Sequence, residues 1–467
     1  MRNQLLDSKR RSKKRWRASF WAEPLRSVIS SLAFVALIPV VLAAQATSMT
    51  PQGGPQAVVY GAGIQTPLQF AGELAPTDQA TLGVGVSALY DDNVLGNNAT
   101  RLADETLSFD SHLGLSRQTE HLAVSLDYMP FFVIYRTYNQ FDKLNQVGNL
   151  DLTFRLTSRV VVRAYDSISY QNGIYPSLTQ PEILSGPASP TSLNQFIVPY
   201  TTRALTNTTG LVLTFVKSRR TALTLTGGYN QSKFGQQIAG EPLYNTRVLS
   251  GGLTFQYLVT EHTNFGILLL HQDSTFQGGG ILGNRLRSQI ESAIFSVGSR
   301  LSPTLSISVF AGPQYVRSVS PSLTQASIAG NYQFSGGGSI TKEVRNTAFE
   351  ISLQRSVSDG GGLYPSVSNN RAVFGIRRRV VGQWEADVRG VATRADASLY
   401  RTGGGVIDNV IAGVDLHRSL SRGAVFHVSY NTLHQVCSRN LPFSVNFDRN
   451  QVAVGVDYQF KALTLGR

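Results

Sequence analysis

The stretch Asn450–Phe460 constrains this chain more than any other. Val452, Val454, Val456, Tyr458 and Phe460 alternate there with Gln451, Ala453, Gly455, Asp457 and Gln459. Strand side chains point to opposite faces with period two, so one face is apolar and the other small or polar. The run has about the length, roughly 9–11 residues, that a tilted strand needs to cross a bilayer. Its apolar face ends in two aromatics, the side chains that settle at a membrane–water interface. Alone, such a strand would also suit a soluble sandwich, but the pattern recurs along the chain.

Leu82/Val84/Val86/Ala88/Tyr90, Leu122/Val124/Leu126/Tyr128, Leu150/Leu152/Phe154/Leu156 and Val410/Ala412/Val414/Leu416 repeat it, and no amphipathic helix or long apolar run interrupts the series from Gln79 onward. The connections are sorted by length. Short ones near Arg117–His121, Thr157–Arg159, Lys217–Arg220 and Arg379–Gln383 alternate with long ones at Asp91–Glu105, Met129–Gln146, Gln171–Arg203, Asn230–Asn245, Ser358–Asn370 and His434–Asn446. A soluble sandwich has no reason to sort its turns this way, whereas outer-membrane barrels pair short periplasmic turns with longer external loops. The pattern predicts an all-β protein: a transmembrane antiparallel up-and-down β-barrel of about eighteen strands (roughly 16–18) over residues 79–460. Outward-running strands tend to finish in tyrosine (Tyr90, Tyr128, Tyr170, Tyr229, Tyr315, Tyr430). Inward-running ones carry aromatics near their inner ends (Phe154, Phe215, Tyr257, Tyr458, Phe460), as two interfacial girdles require.

The N-terminus orders a basic segment, an apolar run Leu32–Ala44 too short for a comfortable span, and small residues at Ala44 and Ala46. This order predicts a secretory signal over residues 1–46 with cleavage before Thr47; an uncleaved anchor or a basic nucleic-acid arm are the competing readings. Residues 1–46 carry +7 of the formal +13. The high isoelectric point is therefore no nucleic-acid footprint, and no nucleic-acid partner is expected. Residues 47–78, rich in Pro, Gly and Gln, read as a flexible periplasmic leader, and 461–467 as a short C-terminal tail. The single cysteine, Cys437, can form no internal disulfide and is expected in a loop-like stretch.

The polar faces of the predicted strands carry the candidate lumen residues: Asp110, His112, Asp127, Asp151, Arg155, Glu350, Arg377, Arg379, Glu385, Asp387, Arg389, Asp415, His417, His427 and Asp457. Mixed signs suit a salt-bridged wall. The dominance of arginine over lysine would also suit carboxylate or phosphate groups, as on an anionic sugar polymer or lipopolysaccharide. The histidines show no metal-ligand spacing. Four glycine triplets (Gly278–Gly280, Gly336–Gly338, Gly360–Gly362, Gly403–Gly405) precede no Lys-Ser/Thr pair, so no cofactor is expected. Gly336–Gly338 falls within a strand, where it permits bending or room in the lumen. The proline-rich segment 171–203 is a candidate lid or constriction loop.

Four resemblances bear on function. Asn450–Phe460 resembles the C-terminal assembly signal of outer-membrane barrels, which implies the outer-membrane assembly machinery as a partner. His427 with Ser429 resembles the His-x-Ser pair of outer-membrane phospholipase A, and Asp110 with His112 resembles the dyad of omptin proteases; polar lumen lining explains both, and no enzyme is expected. Tyr90-Asp-Asp-Asn-Val94, Leu126-Asp-Tyr-Met-Pro-Phe-Phe132 with Tyr135, and Leu150–Arg159 resemble the outer-membrane barrel family associated with exopolysaccharide synthesis and export, β-barrel porin type two. This last resemblance implies a pore or accessory beside polysaccharide export components, in contact with outer-membrane lipid and lipopolysaccharide. A general diffusion porin, and a lumen enzyme or surface adhesin, stand as the other readings.

Overall fold

The computed structural model describes residues 78–96, 98, 101–172, 203–235, 244–278, 285–319, 329–360, 364–396, 405–421, 423–438 and 446–464. The expected signal 1–46, nearly all of the leader 47–78, the bulk of loop 171–203 and most of three glycine triplets lie outside these residues.

Eighteen strands form the wall. The first six are β1 (Asp78–Asp91), β2 (Asp104–Gln118), β3 (Leu122–Tyr135), β4 (Lys143–Thr157), β5 (Val160–Asn172) and β6 (Arg203–Ser218). Next come β7 (Thr221–Phe234), β8 (Tyr244–Leu258), β9 (Thr263–Gly278), β10 (Arg285–Ser302), β11 (Leu305–Val319) and β12 (Ala329–Val344). The last are β13 (Thr347–Gly360), β14 (Tyr364–Arg379), β15 (Trp384–Asp396), β16 (Val406–Ser421), β17 (Ala424–Cys437) and β18 (Phe447–Gln459). Each pairs antiparallel with its sequence neighbours, and β1 also pairs with β18 from Gly83↔Gln459 to Asp91↔Gln451, so the sheet closes on itself. Closure gives every strand a partner on both sides over part of its length, as a sheet in hydrocarbon needs.

Alternation sorts the side chains as the sequence implies. On β18, Val452, Val454, Val456 and Tyr458 are exposed, while Gln451 and Ala453 are buried on the opposite face. Similar exposed rows run along β1 (Val84, Val86, Tyr90), β2 (Leu107, Phe109, Leu113, Leu115) and β8 (Leu253, Phe255, Tyr257). Exposed Tyr90, Tyr128, Tyr229 and Tyr430 mark one rim. At the other, Tyr458 and Phe460 meet edge-on at 4.8 Å and Trp384 and Phe426 at 6.3 Å. An apolar outer belt between aromatic girdles around a closed sheet is outer-membrane barrel architecture.

The strands run past the expected boundaries. The connection expected at Met129–Gln146 shrinks to 136–142, because β3 continues to Tyr135 and β4 begins at Lys143. That expected at Ser358–Asn370 shrinks to 361–363. Hydrogen-bonded ladders continue where no apolar belt is needed, and there the sequence stops alternating. Cys437 is buried at the outer end of β17, not in a loop; its N–H donates to Asn446 Oδ1 at 2.7 Å. Within the expected tail, Leu463 and Thr464 form a short strand, β19, paired with Ala80 and Gln79. Periplasmic turns are tight, and three of them use left-handed backbone, at Arg345 (φ 51°), Gly382 (φ 58°) and Gly423 (φ 97°).

The faces of β18 give a direct test. In a Cys437→Ser background, Val454→Cys is expected to stay shielded from a water-soluble maleimide in lipid vesicles, and Asp457→Cys to label. The reverse pattern would mean a one-residue slip in register.

Candidate functional site

The periplasmic half of the interior carries a belt of ionisable side chains. On β15, Asp387 accepts from Arg389 Nε at 2.6 Å and from Arg377 Nε, on β14, at 3.2 Å. Arg377 also stands 3.6 Å from Glu385, which lies 3.6 Å from His417 on β16, itself 3.6 Å from Asp415. On β17 and β18, His427 Nδ1 and Asp457 Oδ2 are 3.0 Å apart. The carboxylates of Asp457 and Asp110 both occupy the space that a side chain on Gly85 would take. His112 Nε2 lies 3.1 Å from Asp127, and Arg163 Nε donates to Asp151 at 2.6 Å.

The structure thus joins Arg377, Glu385, Asp387, Arg389, Asp415 and His417 into one network, and gathers Asp110, His427 and Asp457 around Gly85. Glu350 and Arg379 share the inward faces of β13 and β14 without a side-chain hydrogen bond to these groups among the described residues, and Arg155 lies on the inward face of β4. His427 turns to Asp457 and His112 to Asp127; no hydrogen bond joins His427 to Ser429 or His112 to Asp110 among the described residues. Each histidine thus pairs with a carboxylate on a neighbouring strand.

Arg163, and the segregation of charge, were missed from sequence. The belt runs from β13 through β18 and β1 to β5. Inward positions of β6–β12 instead carry residues such as Thr214, Thr224, Ser250, Ser296, Ser308 and Ser339, with charge returning only at the periplasmic rim as Arg300 and Glu343. Hydroxyl pairs across this arc include Thr214–Thr224 (3.3 Å) and Ser308–Ser339 (2.7 Å). Strand parity alone would have shown this asymmetry.

The outer half of the interior is packed. After β1 the chain turns inward: Val94 is 0 % exposed and packs with Val133, Tyr135, Val391, Ile411, Leu433 and Phe447, from β3 and β15–β18. Beneath it, Asp91 and Arg449 form a buried ion pair, with Arg449 Nε 2.9 Å from Asp91 Oδ2. Gln451 Nε2 (2.9 Å) and the N–H of Asn93 (3.0 Å) also donate to Asp91. Lys143 lies over the Tyr135 ring at 5.4 Å.

A second element enters from the opposite side. β12 pairs with β13 only as far as Gly336↔Arg355, and Ala329–Ser335 pairs with β11 alone. Beyond that point Ser356, Val357, Val367, Ser368 and Asn369 are buried. Val357 packs on Ile290 and Val316, its N–H donates to Gln314 Oε1 (3.0 Å), and Gln314 Nε2 donates to Ser292 (3.0 Å). β14 reaches β9 and β10. The outer end of the β13–β14 hairpin therefore leaves the wall and lies across the inner face of its neighbours. Gly337 marks the split: a Cβ there would strike the Leu353 carbonyl and the Phe310 ring. The glycine triplet was visible in the sequence, but the inserted hairpin was not.

No family model and no curated relative matches the chain. Among solved structures, it is similar to OpdK of Pseudomonas aeruginosa with vanillate: 12% identity, 82% of this chain and 99% of that one, TM-score 0.43. It is similar to OccK2 (OpdF) of the same organism in complex with glucuronate: 13% identity, 82% and 98% coverage, TM-score 0.42. The FrpB iron transporter of Neisseria meningitidis gives 9% identity, 83% coverage of each chain and TM-score 0.41. At these values the similarity assigns neither a family nor a solute.

Proposed function

We propose that this chain is an outer-membrane channel that passes small hydrophilic solutes along the charged arc of its interior. The observation that carries the reading is the ionisable belt itself. A wall of carboxylates, imidazoles and guanidiniums behind an apolar belt is costly to build unless water reaches it. Solutes would enter past the elements that narrow the outer half, the 92–96 turn and the β13–β14 hairpin, and meet charge on one side and hydroxyls on the other. Infolded segments favour a small solute over a bulky polymer. The exopolysaccharide role, with its export partners, rests on the motif residues Tyr90–Val94, Leu126–Phe132 and Leu150–Arg159 alone. Assembly by the outer-membrane insertion machinery follows from the same reading.

Planar-bilayer recording tests it. Asp387 stands between Arg377 and Arg389. Asp387→Asn removes the carboxylate that both guanidiniums share, leaving Glu385 beside Arg377, and is expected to shift the reversal potential toward anions while the barrel still assembles. Val388→Arg, on the exposed face one residue away, is expected to impair assembly, since an arginine on the lipid face costs about 2–4 kcal/mol at the midplane and less toward the interface. Unchanged selectivity in conducting Asp387→Asn would remove β15 from the limiting passage. Absence of conductance with segment 173–202 present and deleted would overturn the channel reading.

A further inference from the structure

Where β13 and β14 turn into the lumen, the outer surface of the barrel is hollowed. A cavity of about 600 Å³ opens there, lined on the lipid side by Leu353, Ala372, Ala392 and Val410 and backed by Gly336 and Gly337. Its position follows from the fold. Above Gly336↔Arg355 no strand among the described residues pairs with β12 on that side, while β14, β15 and β16 stay paired with one another and β14 reaches β9 and β10. Small side chains at 372 and 392 leave the depression unfilled. In a bilayer such a hollow is filled by lipid, because an empty one forfeits contact on one side of every lining atom.

The rim on the extracellular side is polar. Arg355 Nη1 reaches Asn370 Oδ1 at 3.4 Å, and Arg394 Nη1 stands 3.7 Å from Asp408 Oδ2, where both side chains are about half exposed. Along β13 and β15 both arginines lie on the same outward face as Leu353 and Ala392, two positions nearer the outer rim. Two guanidiniums at headgroup height above an apolar slot match a phosphorylated lipid, phosphate on the forks and acyl chain below. We infer that this groove seats one molecule of a phosphorylated glycolipid of the outer leaflet, held by Arg355 and Arg394. The inference rests on the membrane-spanning reading but not on solute passage.

Native mass spectrometry of the detergent-solubilised barrel, titrated with bis-phosphorylated lipid A, tests the assignment. Wild type is expected to retain one lipid A, to bind dephosphorylated lipid A about tenfold or more weakly, and to keep its lipid in excess inorganic phosphate. Arg355→Gln with Arg394→Gln should weaken binding of the phosphorylated form about tenfold or more, down to the level of the dephosphorylated one. Asp408→Asn, which removes the carboxylate sharing Arg394, should tighten it. Ala392→Trp should fill the slot and abolish both. Heat-dependent electrophoretic mobility reports folding of each variant, and all four positions face outward, so conductance should be unchanged. Equal retention by wild type, the double arginine variant and Ala392→Trp, or equal binding of both lipid A forms, would overturn the site while leaving the channel reading untouched. Absence of conductance from a wild-type barrel that retains its lipid as expected would do the opposite.

Discussion

Asp91→Ala is expected to cost the folded barrel about 3–5 kcal/mol, the range for breaking a buried ion pair by removing one partner. The side chains of Asp91 and Arg449 are 2 % and 4 % exposed, and Asp91 also accepts from Gln451 and the backbone of Asn93. Removal leaves a guanidinium without its counter-charge under the apolar cluster around Val94 and releases the turn that holds Val94 in place. Urea unfolding in lipid vesicles, followed by tryptophan fluorescence, measures the loss. Asp91→Asn should retain part of the stability, since an amide oxygen still accepts two of these hydrogen bonds. A loss below about 1 kcal/mol for Asp91→Ala would place the pair in reach of water, where ion pairs contribute little. A second signature is local: the released turn should become sensitive to added protease between residues 92 and 103 while the strands stay protected.

Excising residues 357–367 and joining the ends by two glycines is expected to raise single-channel conductance several-fold. That segment includes Val357 and Val367, both buried inside the barrel, the first against Ile290 and Val316. The wall keeps β13 paired with β12 up to Gly336↔Arg355 and with β14 below, so the barrel itself should still close. A milder variant, Val357→Asp, places a carboxylate against the apolar side chains of Ile290 and Val316. It should release the hairpin and raise conductance in the same direction by less. Unchanged conductance in a folded excision variant would mean that the passage narrows elsewhere, with the turn at 92–96 the next candidate.

Strand type, faces and approximate number were legible in the sequence because a membrane barrel wall imposes a strict rule at every residue. Outward positions must be apolar and inward ones need not be, so Val452, Val454 and Val456 announce both the strand and its register. The same parity placed Asp387, Asp415, His427 and Asp457 on one face before any contact was known. It would also have revealed the neutral arc of β6–β12. Which of these residues meet was not legible, since partners such as Asp110 and Asp457 lie on strands that only closure of the barrel brings to either side of β1. The buried pair of Asp91 with Arg449 has the same origin.

Loop boundaries failed for a different reason. Beyond the bilayer the ladder of backbone hydrogen bonds continues but the outward face is free to be polar. Alternation therefore marks the membrane crossing and not the strand. This is why 358–370 read as a loop, while the structure extends β13 to Gly360 and begins β14 at Tyr364. By itself, the sequence determined a wall: an antiparallel barrel, its faces and its charged interior, all fixed by period-two patterning against lipid. What fills that wall was decided only in three dimensions. The inward turn of Val94 and the hairpin crossing β9–β12 bury surfaces contributed by strands far apart in the chain, and no local period encodes a contact of that range.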